Sequence, residues 1–285
     1  MVQQPSLLEN AALWHWLRLA LAEDIGRGDV TSQALIAPQQ QAALSFRNRE
    51  PMVVAGIFLI DEVMQMITPD FSSELHVTDG QFVNAPQALV TLRGNARALL
   101  SAERLILNLL QRCGGVATLT RKYVQAVAGT GVMILDTRKT MPGMRDLDKY
   151  AVTCGGGHNH RMRLDDRILI KDNHIAVCGG VMQAIERAKV ANSKKLLIEI
   201  ECDTLAQVQE VLACGVDWIL LDNMPPAMLR EAVALVQKRV KLEASGGVNL
   251  QTVRAIAETG VDAISVGAIT HSAPAVDIGL DIVLN

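Results

Sequence analysis

The chain has 285 residues, of which 49% are hydrophobic and 20% are charged. It can therefore fill the core of one large domain or two smaller ones, and its composition excludes an intrinsically disordered protein. Its formal net charge of -3 lacks the basic excess that is typical of nucleic-acid-binding domains, so we expect no nucleic-acid partner.

The N-terminal segment predicts a helix, because its apolar residues recur at helical spacing. These residues are Leu7, Leu8, Ala11, Trp14, Leu17 and Leu21. His15, Arg18 and Glu23 interrupt the segment, so we expect neither an export signal nor a membrane contact. The five cysteines have no zinc-type spacing and are odd in number, which predicts reduced, mostly buried thiols in a cytoplasmic protein.

The rest of the first third mixes strand and helix patterns. In chain order we predict a polar turn at 23–29, strands at 42–47, 74–77 and 89–92 with a helix at 56–67 between the first two, and a long helix at 96–112. This mixture is typical of a separate α+β domain. We place that domain at residues 1–110.

The second half has a regular alternation of strands and helices. Short apolar runs predict strands at 132–136, 167–171, 196–201, 218–222, 241–245 and 263–267. Amphipathic stretches predict helices at 181–190, 204–214, 225–240 and 250–259. The last four strands begin about 22 residues apart, which is typical of an α/β barrel or another parallel α/β sheet. We place this domain at residues 111–269, and we expect residues 270–285, with a strand-like pattern at 276–284, to return to the first domain.

Polar residues follow nearly every strand of the second half, at the ends where ligands bind in parallel α/β folds. Together with the small residues that accompany them, they are Arg138, Lys139, Lys171, Glu201, Asp222, Ser245, Gly246, Gly247, Gly267 and Ala268. Each one alone could belong to an exposed face, a helix cap or a simple turn. Together they predict a site, and its cations predict an anionic ligand because buried Lys and Arg require a counter-charge.

Three histidines offer another interpretation of the same region. His158, His160 and His174 could resemble a zinc-binding set, but the neighbouring Arg161 and Lys171 would repel a cation. We therefore favour histidines that are satisfied within the protein or face a substrate.

Several sequence blocks resemble one known family. They are Asp136-Thr137-Arg138-Lys139-Thr140-Met141-Pro142-Gly143, Asp148-Lys149-Tyr150-Ala151-Val152, Gly155-Gly156-Gly157 with Asn159-His160-Arg161, Leu169-Ile170-Lys171-Asp172-Asn173-His174, Leu221-Asp222-Asn223-Met224 and Leu242-Glu243-Ala244-Ser245-Gly246-Gly247. In this order they are similar to the quinolinate phosphoribosyltransferases, and the likeness covers nearly the whole chain.

The resemblance implies an N-terminal α/β sandwich domain and an incomplete α/β barrel, the architecture of type II phosphoribosyltransferases. It implies transfer of a phosphoribosyl group from phosphoribosyl pyrophosphate to quinolinate, with decarboxylation and with Mg²⁺ as cofactor. It also implies a homodimer, or a hexamer of dimers, in which Arg104 reaches the neighbouring subunit's site.

The resemblance also implies roles for individual residues. The expected substrate-binding residues are Arg104, Thr137, Arg138, Lys139, His160, Arg161, Lys171, Glu201, Asp222, Ser245, Gly246, Gly247, Val266, Gly267 and Ala268. Among them Lys139, Lys171, Glu201 and Asp222 are the expected catalytic residues, and Glu201 and Asp222 the expected magnesium site, directly or indirectly.

Three other functions stay open on the sequence alone. Lys171 at a strand end could be the Schiff-base nucleophile of an aldolase-type lyase. A pyrophosphorylase that acts on another ring acid would share the same cationic residues. A ligand-binding sensor could use the same fold without catalysis.

Overall fold

The computed structural model describes Leu7 and residues 10–282. The chain divides into two compact units: the first contains residues up to 121, 140–156 and those from 273 onward, and the second contains 122–139 and 157–272. The sequence-based boundaries near residues 110 and 270 stay a prediction. The expected positions Leu8, Val283 and Leu284 lie outside the described residues.

The first unit is built on antiparallel strands and helices. Its elements are α1 (Ala11–Ile25), α2 (Val30–Leu35), β1 (Gln41–Asn48), β2 (Met52–Val53), α3 (Leu59–Ile67), β3 (Phe71–Leu75), β4 (Phe82–Val83), β5 (Gln87–Asn95), α4 (Ala96–Ala126), whose last five residues belong to the second unit, α5 (Arg145–Cys154) and β12 (Ile278–Ile282). Its main sheet has the order β12-β1-β5-β3, and β2 pairs with β4. The C-terminal strand β12 lies antiparallel to β1 in this sheet.

The first helix begins where its cap satisfies the exposed backbone amides. The side-chain oxygen of Asn10 accepts hydrogen bonds from the amides of Ala12 and Leu13, at 3.0 and 3.4 Å. The helix continues to Ile25, so the turn predicted at 23–29 begins three residues too early. The reversal comes at Gly26, whose φ of 57° suits glycine.

Helix α4 is much longer than predicted. The sequence predicts an end at residue 112, but the helix continues through Gly114 and Gly115. A Cβ on Gly114 would lie 2.8 Å from Cγ2 of Val276, and one on Gly115 would lie 3.2 Å from Cα of Ala275. These glycines therefore permit close packing of the helix against the C-terminal segment.

Helix α5 was not predicted from the sequence, and ion pairing explains its burial in the first unit. The guanidinium of Arg112 binds both carboxylate oxygens of fully buried Asp148, at 2.9 and 3.0 Å. The hydroxyl of Tyr150 donates to Asp79 at 2.7 Å. Paired and hydrogen-bonded in this way, polar residues of α5 can be buried.

The second unit contains a six-stranded parallel sheet. Its elements are β6 (Met133–Leu135), β7 (Ile168–Ile170), α6 (Asp172–Cys178), α7 (Val181–Ala191), β8 (Ile198–Cys202), α8 (Leu205–Leu212), β9 (Trp218–Asp222), α9 (Pro226–Val236), β10 (Lys241–Ser245), α10 (Val253–Ala257), β11 (Ala263–Ser265) and α11 (Ala268–His271). The strand order is β6-β11-β10-β9-β8-β7, so all six predicted strands are confirmed. No helix in the described part of the chain is long and apolar enough to cross a membrane.

Local sequence fixes the starts of the intervening helices. Thr204 and Gln207 form a reciprocal capping box at the start of α8. Pro226 occupies the first turn of α9, where its missing amide costs no helical hydrogen bond. Parallel strands need such helical crossovers, and their carboxyl ends meet at one edge of the sheet. This edge carries the candidate site.

Candidate functional site

The carboxyl ends of the parallel strands in the second unit surround a cavity of about 540 Å³. A cavity of this size suits a small-molecule ligand. Eleven of the expected site residues line it: Thr137, Arg138, Lys139, His160, Arg161, Lys171, Glu201, Asp222, Ser245, Gly246 and Gly247. The convergence predicted from the strand ends is therefore observed.

Four expected substrate-binding residues do not line this cavity. Arg104 lies on α4 in the first unit, with its guanidinium 4.0 Å from the carboxylate of Glu103 and its side chain 60% exposed. Val266 is buried, Gly267 packs against Lys139, and Ala268 begins α11. Their roles in substrate binding stay a prediction.

The cationic part of the cavity is formed by Arg138, Lys139, Arg161 and Lys171. The Nε atom of Arg138 is buried and has no hydrogen-bond partner among the described residues. Burial, together with the neighbouring Arg138, lowers the pKa of Arg161. A buried donor without a partner is costly, and an anion in the cavity would satisfy it.

The acidic part of the cavity lies beside these cations. Lys171 donates to Oε2 of Glu201 at 2.7 Å. Carboxylate oxygens of Glu201, Asp203 and Asp222 lie within 4.8 Å of one another. Oxygen donors at this spacing match the preference of Mg²⁺ for carboxylates and water, so this group fits the expected magnesium site.

His160 is held by carboxylates in the interior of the sheet. Its Nε2 lies 3.0 Å from Oε2 of Glu199 and 3.4 Å from Oε2 of Glu243. Arg167 also binds Glu199, at 3.2 Å. The imidazole and both glutamates are buried, so their charges are poorly screened by solvent.

The protonation of this cluster follows from its contacts. Burial lowers the pKa of His160, but the hydrogen bonds to Glu199 and Glu243 outweigh it and raise the pKa to about 9. Burial raises the pKa of Glu243, whereas His160 and Arg167 outweigh burial at Glu199 and lower its pKa. Nδ1 of His160 accepts a hydrogen bond from the backbone amide of Arg161 at 2.7 Å. A proton on Nδ1, which the cationic imidazole requires, would displace this hydrogen bond.

The zinc interpretation of the histidines finds no support. In the described residues, no group of three side chains with metal-binding geometry contains two of His158, His160 and His174. Nδ1 of His174 accepts the backbone amide of Lys171 at 2.9 Å. The side chains of His160 and His174 thus bind protein groups.

Sequence reasoning missed six polar residues in this region, among them Asp136 and Ser265, which line the cavity. Asn223 and Glu243 line the cavity, Glu199 binds His160, and Asp203 lies beside Glu201. The sequence carries a signal for the two buried glutamates, since each is a charged residue inside a strand. Only the strand pairing shows that they face the interior.

The fold and the cavity define a two-unit α/β protein with a cavity of cations and carboxylates at the carboxyl ends of its parallel strands. Two family models match the chain: quinolinate phosphoribosyl transferase, N-terminal domain, over residues 29–114, and quinolinate phosphoribosyl transferase, C-terminal domain, over residues 116–281. The chain belongs to the quinolinate phosphoribosyl transferase family.

Similar proteins cover almost the full chain. A probable nicotinate-nucleotide pyrophosphorylase (carboxylating) of Bacillus subtilis is 43% identical, over 92% of this chain and 91% of its own. A solved nicotinate-nucleotide pyrophosphorylase from Francisella tularensis has a TM-score of 0.91 at 38% identity, covering 95% of this chain and 96% of its own. One from Ehrlichia chaffeensis has a TM-score of 0.90 at 43% identity, covering 99% and 100%. The predicted fold class is confirmed.

Proposed function

We propose that the cavity of the second unit carries out the reaction of this family. The chain transfers the phosphoribosyl group of phosphoribosyl pyrophosphate to quinolinate and releases pyrophosphate and CO₂, giving nicotinate mononucleotide for NAD biosynthesis. The relatives named for this activity, at 40% to 43% identity over most of the chain, support the assignment. The chain is therefore a decarboxylating pentosyltransferase.

The observation that carries the site assignment is the unpartnered Nε of Arg138 in a cavity lined by cations. Quinolinate is a dicarboxylate, and guanidinium groups bind carboxylates through two parallel hydrogen bonds. We assign Arg138, Arg161 and Lys171 to the two carboxylates, with Lys139, His160 and Thr137 completing that wall. This arrangement neutralises the substrate and orients its ring nitrogen for attack.

Glu201 and Asp222 serve the other substrate. Their negative charge stabilises the positive character that develops on the ribose as pyrophosphate departs. Together with Asp203 they have the oxygen donors to hold Mg²⁺, which when bound neutralises pyrophosphate. We assign the glycine turn Ser245, Gly246 and Gly247 to the phosphate groups, because its backbone amides can approach them closely.

Decarboxylation follows from the charge that the transfer creates. Once the ring nitrogen is bonded to ribose it is positively charged, and it stabilises the electron pair that the adjacent ring carbon keeps when its C–CO₂ bond breaks. The carboxylate next to the nitrogen then leaves as CO₂, and the ring carbon takes a proton from solvent. In this step the protein's cations position the substrate and supply no electrons.

We further propose a cytoplasmic homodimer, or a hexamer of dimers, in which Arg104 enters the partner's site. The exposed guanidinium of Arg104, whose nearest carboxylate is 4.0 Å away on Glu103, supports this role because it is available to another molecule.

The direct test is incubation of the purified protein with quinolinate, phosphoribosyl pyrophosphate and Mg²⁺, with product analysis by chromatography and mass spectrometry. We expect nicotinate mononucleotide, pyrophosphate and CO₂ in equal amounts. Quinolinate binding without pyrophosphate release would indicate a sensor, and turnover of another ring acid in preference to quinolinate would indicate a related pyrophosphorylase. Trapping of a carbonyl substrate on Lys171 by borohydride would indicate the lyase.

A further inference from the structure

Asn223 has an unusual backbone conformation beside the acidic part of the cavity. It follows the last residue of β9, Asp222, and its φ is 54°, in the left-handed region. Residues other than glycine rarely adopt this backbone conformation, and asparagine is one of the few that tolerate it. Such strain at the wall of a cavity points to a functional constraint.

Two hydrogen bonds of Asn223 join the ends of neighbouring strands. Its backbone amide donates to the carbonyl oxygen of Ser245, the last residue of β10, at 2.9 Å. Its side-chain Nδ2 donates to Oδ2 of Asp222 at 2.6 Å. One residue thus contacts both the carboxylate and the start of the glycine turn.

The glycine turn is shaped around Asn223. Gly246 has a φ of 93°, and a Cβ there would lie 2.9 Å from the backbone nitrogen of Asn223 and closer still to its carboxamide. The turn therefore packs directly on Asn223 without space for a side chain.

We propose that Asn223 is a positioning residue for phosphoribosyl pyrophosphate, which holds the Asp222 carboxylate and the Ser245–Gly247 turn in one arrangement. The proposal rests on the function proposed above, in which these two groups serve that substrate. Among the described residues the side chain of Asn223 donates to Asp222 and its backbone amide donates to Ser245 of β10, so both bonds lead to groups that we assign to phosphoribosyl pyrophosphate.

Two variants distinguish the contribution of the Asn223 backbone from that of its side chain. Asn223→Gly keeps the left-handed backbone accessible and removes the carboxamide, whereas Asn223→Asp replaces the donor by an oxygen that repels Asp222. We expect kcat/KM for phosphoribosyl pyrophosphate to fall roughly three- to tenfold in Asn223→Gly, the loss typical of one hydrogen bond, and further in Asn223→Asp. The dissociation constant of quinolinate, measured calorimetrically with quinolinate alone, stays within about twofold of wild type.

Gln237→Gly is the matched control, because Gln237 is also left-handed, with a φ of 50°, at the end of α9 away from the cavity. It should leave both constants at their wild-type values. The proposal is overturned if Asn223→Gly keeps the wild-type kcat/KM, if Asn223→Asp is no worse than Asn223→Gly, or if the variants weaken quinolinate binding as much as the other substrate. An inactive wild-type enzyme, measured in parallel, would instead overturn the proposed function.

Discussion

Lys171 and Glu201 lie at the carboxyl ends of adjacent strands, with Nζ of the lysine 2.7 Å from Oε2 of the glutamate. The register of the two strands explains this contact: Ile170 pairs with Ile200, so the next residues of the parallel strands lie side by side. The pair joins the cationic and acidic parts of the cavity. It commits one oxygen of Glu201 to the protein and leaves the other for a ligand.

Lys171→Ala is expected to reduce kcat/KM for quinolinate roughly 100-fold, because it removes a cation and leaves the Glu201 carboxylate to repel a dianionic substrate. Thermal unfolding should change little, since a pair with a lysine side chain 45% exposed contributes under about 1 kcal/mol. Steady-state kinetics and calorimetry measure the two effects.

The control is Lys241→Ala, which breaks the ion pair of Lys241 with Asp262, 2.6 Å apart, at the start of β10. It should leave kinetics unchanged. Equal kinetic losses in the two variants would contradict the assignment of Lys171.

Much of the second unit could be predicted from the sequence, because most of its strands are short apolar runs and helices α8 and α9 begin at a capping box and a proline. The positions of the site's cations could also be predicted, because residues that follow parallel strands converge at one edge of the sheet. The buried partners could not. Glu199 and Glu243 face His160 only because β8 and β10 occupy particular places in the sheet, and strand order is a long-range property.

The two buried glutamates should respond differently to amide substitution. Glu199→Gln removes the negative charge that forms ion pairs with Arg167 and His160, and we expect a loss of about 3 kcal/mol in the free energy of unfolding. Glu243→Gln removes a charge that burial already disfavours, and we expect a loss below about 1 kcal/mol. Urea denaturation at neutral pH compares them; equal losses would contradict this difference between the two carboxyls.

His160 should make stability depend on pH. Its pKa is raised in the folded state to about 9 from an ordinary value of 6.5, so its stabilising contribution is complete below the ordinary pKa and is lost as the pH rises through 9. We expect the free-energy difference between wild type and His160→Gln, which cannot titrate, to shrink between pH 6.5 and 9. A constant difference would show that the Arg161 amide keeps Nδ1 unprotonated throughout.

Gly115→Ala should destabilise the first unit by about 2 kcal/mol, because a methyl group at this position of α4 would collide with the segment around Ala275. The control Gln125→Ala lies at an exposed position of the same helix and should be nearly neutral. Denaturant unfolding measures both, and a neutral Gly115→Ala would show that the segment can move aside at little cost.

Arg104→Ala and Lys171→Ala should complement each other if each site takes Arg104 from the partner subunit. Alone, each variant lacks one cation in every site. A mixed dimer has one site with both defects and one with neither, because the intact Arg104 and the intact Lys171 come from different chains. After subunit exchange of equal amounts, about a quarter of wild-type activity should return, since half of the dimers are mixed and half of their sites are intact. No recovery in dimers shown by mass spectrometry to be mixed would place Arg104 outside the partner's site.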